Sequence, residues 1–242
     1  MTASTATAEP TPLSQFLRGA RMFAPVAVSI AAYGLVWGVL AGQAGMSVGE
    51  VALMSALVFA GASQFVALDM WTPGALPVGA IVLAVAIVNL RMLLMTATLR
   101  PLASGVSRPR ALLAMHFVAD ENWALTMSEL AKGRGSLGFL LGSGVLSWAA
   151  WLTSTLTGRL IGSAIDDPAR YGLDFAFTAT FIALLLGMWR GKSDILPWTV
   201  AALAAIAASR LLPGNWYIII GGLLGSLAGA IASSRREQPG DR

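Results

Sequence analysis

The chain has 242 residues, 56% of them hydrophobic and only 12% charged, with a mean hydropathy of +0.72. A soluble domain carries about 25% charged residues, so this composition excludes an ordinary water-soluble globule and indicates several membrane spans. The net charge of +4 falls in short basic clusters between apolar runs, which suits membrane orientation rather than nucleic-acid binding.

Residues 1–17 (MTASTATAEPTPLSQFL) are polar and rich in Thr, Ala and Pro. They read as a disordered lead, with no secretory signal evident. Residues 18–235 form one expected membrane domain, and 236–242 a disordered tail. A span needs roughly 20 apolar residues. Runs that qualify cover about 22–41, 78–99, 137–161, 174–189, 195–212 and 215–233.

Two more segments are ambiguous. Residues 51–70 are apolar enough to span, but Gly61-Ala62-Ser63-Gln64 interrupts them. Irregular backbone at membrane depth is tolerated only where it is buried in protein or lines a wet cavity. A break here would free N–H groups for a carboxylate at the new helix start, and Ser63 and Gln64 add hydrogen-bonding groups. The plain alternative is close packing of small residues. The run at 78–99 contains Asn89 and Arg91. Arg91 lies nine residues before Arg100, hence roughly 13 Å deep at about 1.5 Å per residue. It suits either a ligand carboxylate or an ion pair with Asp120, Glu121 or Asp174.

Residues 111–130 carry the only histidine, His116, with Asp120, Glu121 and Glu129. On a helix, 116 and 120 share a face while 121 lies about 100° round from 120. A carboxylate at membrane depth costs about 2.5–3.5 kcal/mol on insertion scales, so it faces a cavity or a partner. Asp120 and Glu121, with His116 near them, are candidates for proton uptake or for an ammonium group. An interfacial helix in water is the alternative. The divergent acids and lone histidine make a metal site a poor reading. Asp174 opens the run at 174–189, as a helix N-cap or a group on a polar path. Trp148, Trp151, Trp189, Trp198 and Trp216 read as interfacial belt residues. Gly222, Gly225 and Gly229 read as a close-packing face.

Charge bias orients these segments. With Arg18 and Arg21 before the first span, the N-terminus is cytoplasmic. Six full spans with two broken or re-entrant segments put 12 of 16 basic residues inside; eight full spans put 9 inside and 6 outside. Six spans fit better, and both layouts leave the two termini cytoplasmic. The fold class is therefore all-α and polytopic, and no residue-level internal repeat is convincing.

Five blocks follow one another in order: YGLVWGVLAGQAGMS (33–47), LMSALVFAGASQFVAL (53–68), VNLRMLLMTATLRP (88–101), HFVADENWAL (116–125) and YGLDFAFTATFIALLL (171–186). Together they resemble the AzlC family, the large subunit of two-component branched-chain amino acid exporters. The resemblance runs from about residue 20 to 233. It implies a bacterial inner-membrane permease that works with a small AzlD-type subunit and exports valine, leucine, isoleucine or similar apolar amino acids. The family tends to carry Asn-x-Arg-His in the third block, where this chain has Asn89-Leu90-Arg91-Met92.

On that reading Gly61, Ser63, Gln64, Asn89 and Arg91 hold the zwitterion, and His116, Asp120 and Glu121 handle protons. Asp174 is a further pathway candidate. The alternatives are a passive facilitator for small apolar solutes and a membrane assembly partner without transport. No Walker A motif and no nucleophile–base pair is present, so neither an enzyme nor any cofactor is expected.

Overall fold

A computed structural model describes residues 11–162, 182, 186, 189, 191–212 and 216–237, with side chains as far as residue 233. Among the described residues every regular element is a helix, and five helices are long and apolar enough to cross a membrane. They correspond to five of the six apolar runs; the run at 174–189, with Asp174, lies outside the described residues apart from three positions. The chain forms two compact units where the sequence reading has one domain. Unit 1 comprises Met1–Leu68 and Val88–Asp167, and unit 2 comprises Asp69–Ile87 and Pro168–Arg242.

In unit 1, α1 spans Pro12–Gln43. It takes in the last six residues of the segment read as a disordered lead, and the cause is local. Thr11 accepts from the Ser14 N–H at 3.2 Å, and Pro12 at the first helical position has its φ already set. The added turn also packs, because Gly138 lies against the Pro12 carbonyl and the Gln15 side chain. At the other end of the chain, the last helix continues to Glu237, one residue past the expected start of the tail.

The core of unit 1 is the seam between α1 and α7 (Leu137–Gly162). Gly19 meets the Phe139 carbonyl, while Gly142 meets the Phe16 carbonyl. Further along, Gly38 meets the Thr155 carbonyl and Gly158 meets that of Leu35. Residue numbers rise together along the seam, so the helices run parallel. Each lends glycines to the other's backbone. Without water between lipid-immersed helices, such backbone approach supplies the attraction through van der Waals contact.

Both ambiguous segments are broken helices. In the first, α2 (Val48–Leu53) starts with a capping box: Ser47 Oγ accepts from the Glu50 N–H at 3.2 Å, and Glu50 Oε2 accepts from the Ser47 N–H at 2.7 Å. The helix widens into a π-helical turn at Met54–Val58, then stops at Phe59, whose φ of 42° and ψ of 45° are left-handed. A new helix, α3, covers Gly61–Asp69. The sequence reading puts the interruption at 61–64; those residues instead form the first turn after it. After α4 (Val78–Thr98) and a short 3-10 turn, the second broken helix comprises α5 (Arg108–His116) and α6 (Asp120–Ala131).

The two broken helices attach to opposite ends of the α1–α7 pair. Arg159, near the end of α7, donates from Nε to the Met46 carbonyl at 2.6 Å, just ahead of α2. Arg18, near the start of α1, reaches Glu129 Oε2 at 2.6 Å and also the Arg134 carbonyl. Leu99, which follows α4, packs with Leu140 and Leu137 at the Arg18 end.

In unit 2, α8 (Ile195–Leu211) packs on α9 (Trp216–Glu237). The small-residue face of α9 is Gly221, Gly225 and Gly229, set against Ala201, Ala205 and Pro197; Gly222 has open space beside it. The glycine face is therefore real, with Gly221 in the place expected of Gly222. Tyr217 donates to Asp69 Oδ2 at 3.3 Å. Val78 and Val82 on α4, Leu203 and Ile206 on α8, and Leu223 and Leu227 on α9 are exposed, as apolar side chains are where lipid or another membrane helix covers them.

Candidate functional site

The tips of both broken helices meet α4 at one cavity of about 220 Å³, wholly within unit 1. Val58, Phe59 and Ala60 come from the first break and Met115, His116 and Val118 from the second. Asn89, Met92 and Thr96 come from α4, at one-turn spacing along a single face. The lining is mostly apolar, with a few polar atoms among it. That is the usual character of a small-ligand site.

Each tip is held open by named side chains. At the first, the Ala56 carbonyl, released by the π-helical turn, accepts from Trp148 Nε1 at 3.0 Å and lies 3.1 Å from His116 Nε2. A carbonyl only accepts, so this hydrogen bond requires a proton on His116 Nε2. Across the same break runs a buried chain of hydrogen bonds. Trp151 Nε1 donates to Gln64 Oε1 at 2.9 Å, Gln64 Nε2 donates to Ser55 Oγ at 3.3 Å, and Thr155 Oγ1 bonds Ser55 Oγ at 2.9 Å. Ser63 Oγ donates to the Ala60 carbonyl at 2.9 Å. Gly61 leaves room for the Trp151 ring, which a Cβ would approach to 3.1 Å.

At the second tip Asn122, fully buried, accepts from the Ala119 N–H at 2.7 Å and donates to the Phe117 carbonyl at 2.8 Å. One side chain thus serves a donor freed at the start of α6 and an acceptor freed at the end of α5. Gly144 of α7 gives the tip its seat, since a Cβ there would collide with the Phe117 carbonyl.

Of the residues expected at a site, Asn89 and His116 line the cavity. Asn89 Oδ1 is a buried acceptor with no hydrogen-bond partner. Arg91 and Asp120 form an ion pair, Nη2 to Oδ2 at 2.9 Å, which is the partner choice the sequence left open. Arg91 Nε is buried without a hydrogen-bond partner. Glu121 is exposed on the first turn of α6. Gly61, Ser63 and Gln64 do not line the cavity; they brace the first break from behind. Glu129 lies apart, buried among Arg18, Lys132 and Arg134.

Sequence reasoning missed Asn122, Phe59 and Trp148. Asn122 had a readable signal, an amide at the third position of a helix reaching back to the cap. Phe59 had none, because only tertiary packing forces a bulky residue into the left-handed region. Trp148 and Trp151, expected at an interface, sit mid-helix on α7 because their N–H groups serve buried acceptors.

Comparison with known proteins agrees with the resemblance in the sequence. The chain is 27% identical over 232 residues, 93% of its length and 94% of the relative's, to the inner membrane protein YgaZ of Escherichia coli (strain K12). It is 29% identical over 181 residues to an uncharacterized membrane protein of Archaeoglobus fulgidus, covering 74% of this chain and 78% of that one. It is 24% identical over 196 residues to the branched-chain amino acid transport protein AzlC of Bacillus subtilis (strain 168), covering 81% and 76%. No solved structure matches. The AzlC protein family model matches residues 25–165 and so takes in the later part of α1, both broken helices, α4 and α7, and on that ground the chain belongs to the AzlC family.

Proposed function

We propose that this chain is the transport subunit of an exporter for branched-chain or similar apolar amino acids in a bacterial inner membrane. The observation that carries the reading is the meeting of two helix breaks at one apolar cavity beside the unpaired Asn89 oxygen. A zwitterion needs opposite poles close together and room for a greasy side chain. The starts of α3 and α6 are positive dipole ends. The carbonyl ends of the π-helical turn and of α5 are negative ones. Phe59, Met92, Met115 and Val118 suit an aliphatic side chain, and Asn89 Oδ1 suits an ammonium N–H.

The layout that goes with this reading has six spans and two hairpins re-entering from opposite faces, with both termini cytoplasmic. Its support is that Leu99 packs with Leu137 and Leu140 near Arg18, while Met46 bonds Arg159 at the far end of α7. Arg100, Arg108 and Arg110 then share a side with Arg18 and Arg134, as the charge bias favours. A cysteine in place of exposed Ser107 is expected to react from the same side as one in place of Ser14; reaction from the opposite side would require eight spans. The exposed faces of α4, α8 and α9 favour a small AzlD-type membrane partner as well as lipid. Coupling to protons is assigned to Asp120 and Glu121, in the first turn of α6 just after the second break.

The test is efflux of radiolabelled leucine from proteoliposomes holding the chain with its small subunit, competed by a panel of unlabelled amino acids. Valine and isoleucine compete on this reading, whereas aspartate and lysine do not. Asn89→Leu, which removes one hydrogen bond worth about 1–1.5 kcal/mol, is expected to raise KM about tenfold. Equal competition by every solute would make the cavity a passive facilitator, and no leucine flux at all would end the proposal.

A further inference from the structure

We infer that the Arg18–Glu129 ion pair is a releasable latch that closes the Arg18 end of the cavity. Its purpose rests on the transport reading above; its evidence and its test do not. Glu129 is the only carboxylate in unit 1 whose described side chain is essentially sealed, at 1% exposed, and three cations surround it at 2.6–3.2 Å. Those cations are 31–59% exposed. Water and anions can therefore reach the positive partners but not the negative one, so the cluster opens by drawing the cations away.

Arg18 is the arm that matters most. It is held by Gln15 Oε1 at 3.2 Å, lies over the Phe139 ring at 4.6 Å, and bonds Glu129 and the Arg134 carbonyl. One guanidinium thus ties α1 and the start of α7 to the last turn of α6. The tie at the other broken helix, Arg159 to the Met46 carbonyl, has a neutral acceptor. The two ends are unequal. The α1–α7 seam locks carbonyls into glycine grooves and makes a rigid frame, whereas α6 is fastened through charge.

An apolar cluster, the plug, joins α6 to the cavity lining. Met95, Leu99, Val118 and Leu140 form its buried part, with Trp123 and Met127 of α6 against them. Val118 belongs to both plug and cavity lining. Release of Glu129, two residues beyond Met127 on the same helix, frees α6 to swing and lift Trp123 and Met127 off the plug. The cavity then opens toward Arg18.

The native chain has no cysteine, so single replacements report cleanly. Thr96→Cys puts a thiol in the cavity wall, and Ser14→Cys marks the Arg18 side. The measurement is the rate of modification by a membrane-impermeant maleimide in vesicles of both orientations, in otherwise native full-length chain. Glu129→Gln is expected to raise modification of Thr96→Cys at least tenfold from the Ser14 side and to leave it unchanged from the other. The swap Arg18→Glu with Glu129→Arg brings the rate back toward the parental value. Should Glu129→Gln fail to accumulate, Lys132→Gln with Arg134→Gln weakens the cluster without removing Arg18, and a twofold to threefold rise is expected. Unchanged rates, or an equal rise from both sides, would overturn the latch. Because labelling does not depend on which solute is moved, a failed latch leaves amino acid export standing, and failure of leucine flux leaves the latch standing.

Discussion

Asp120→Asn is expected to lower leucine efflux at least tenfold in proteoliposomes, and Arg91→Gln to do the same. The pair meets at 2.9 Å with side chains 34% and 43% exposed. In a water-soluble protein such a pair is worth about 0–1 kcal/mol, too little to matter. Here the surface beside α4 is apolar, and an uncompensated charge left among lipid-immersed helices has nowhere to be hydrated. Asp120 also stands in the first turn of α6, where the helix dipole favours a negative charge. Tenfold corresponds to about 1.4 kcal/mol, well inside what loss of one partner costs.

The double replacement Arg91→Gln with Asp120→Asn separates two roles. If the pair only holds the tip in place, removing both charges restores much of the flux, since neither is left alone. If Asp120 carries the coupling proton, flux stays low and no longer responds to an imposed pH gradient. Wild-type efflux that is the same with and without the gradient, and unaltered by Asp120→Asn, would remove proton coupling from the account.

The second large effect concerns the frame. Gly142→Ala and Gly38→Ala are each expected to destabilise the purified protein by about 3 kcal/mol or more, at the top of the range for overpacking. A Cβ at either site runs into the backbone carbonyl of Phe16 or Thr155, and a carbonyl in a helix cannot rotate aside as a side chain can. Gly222→Ala, one helix face away from any neighbour, is expected to be neutral or slightly stabilising through helix propensity. Thermal unfolding in detergent, followed by loss of the monodisperse peak, distinguishes them. Equal melting of all three variants would mean that the glycine seam does not hold α1 to α7.

Much of this molecule is legible in one dimension. Membrane residence follows from scarce charge and long apolar runs, because hydrocarbon excludes ions whatever the fold. The interruption near 61–64 and the acids at 120–121 were visible as local conflicts with a lipid setting, and both segments prove to be broken helices. The side-chain roles were less accessible. Gln64 and Ser63 carry the right groups for a ligand, yet they are consumed by Trp151, Ser55 and the Ala60 carbonyl. Asn89, one polar residue in an apolar run, lines the cavity only because the two tips converge opposite it.

Composition and hydropathy by themselves determined that the chain is helical and membrane-embedded, since backbone groups in lipid must pair within their own helix, and they marked two polar segments as ambiguous between crossing and breaking. Tertiary structure alone decided which polar atoms remain unpaired. Hydrogen-bond partners 60 to 100 residues apart, such as His116 with Ala56 and Thr155 with Ser55, are chosen by how helices pack. That packing depends on carbonyls fitting against glycines on a neighbouring helix, a three-dimensional fit that no local spacing encodes.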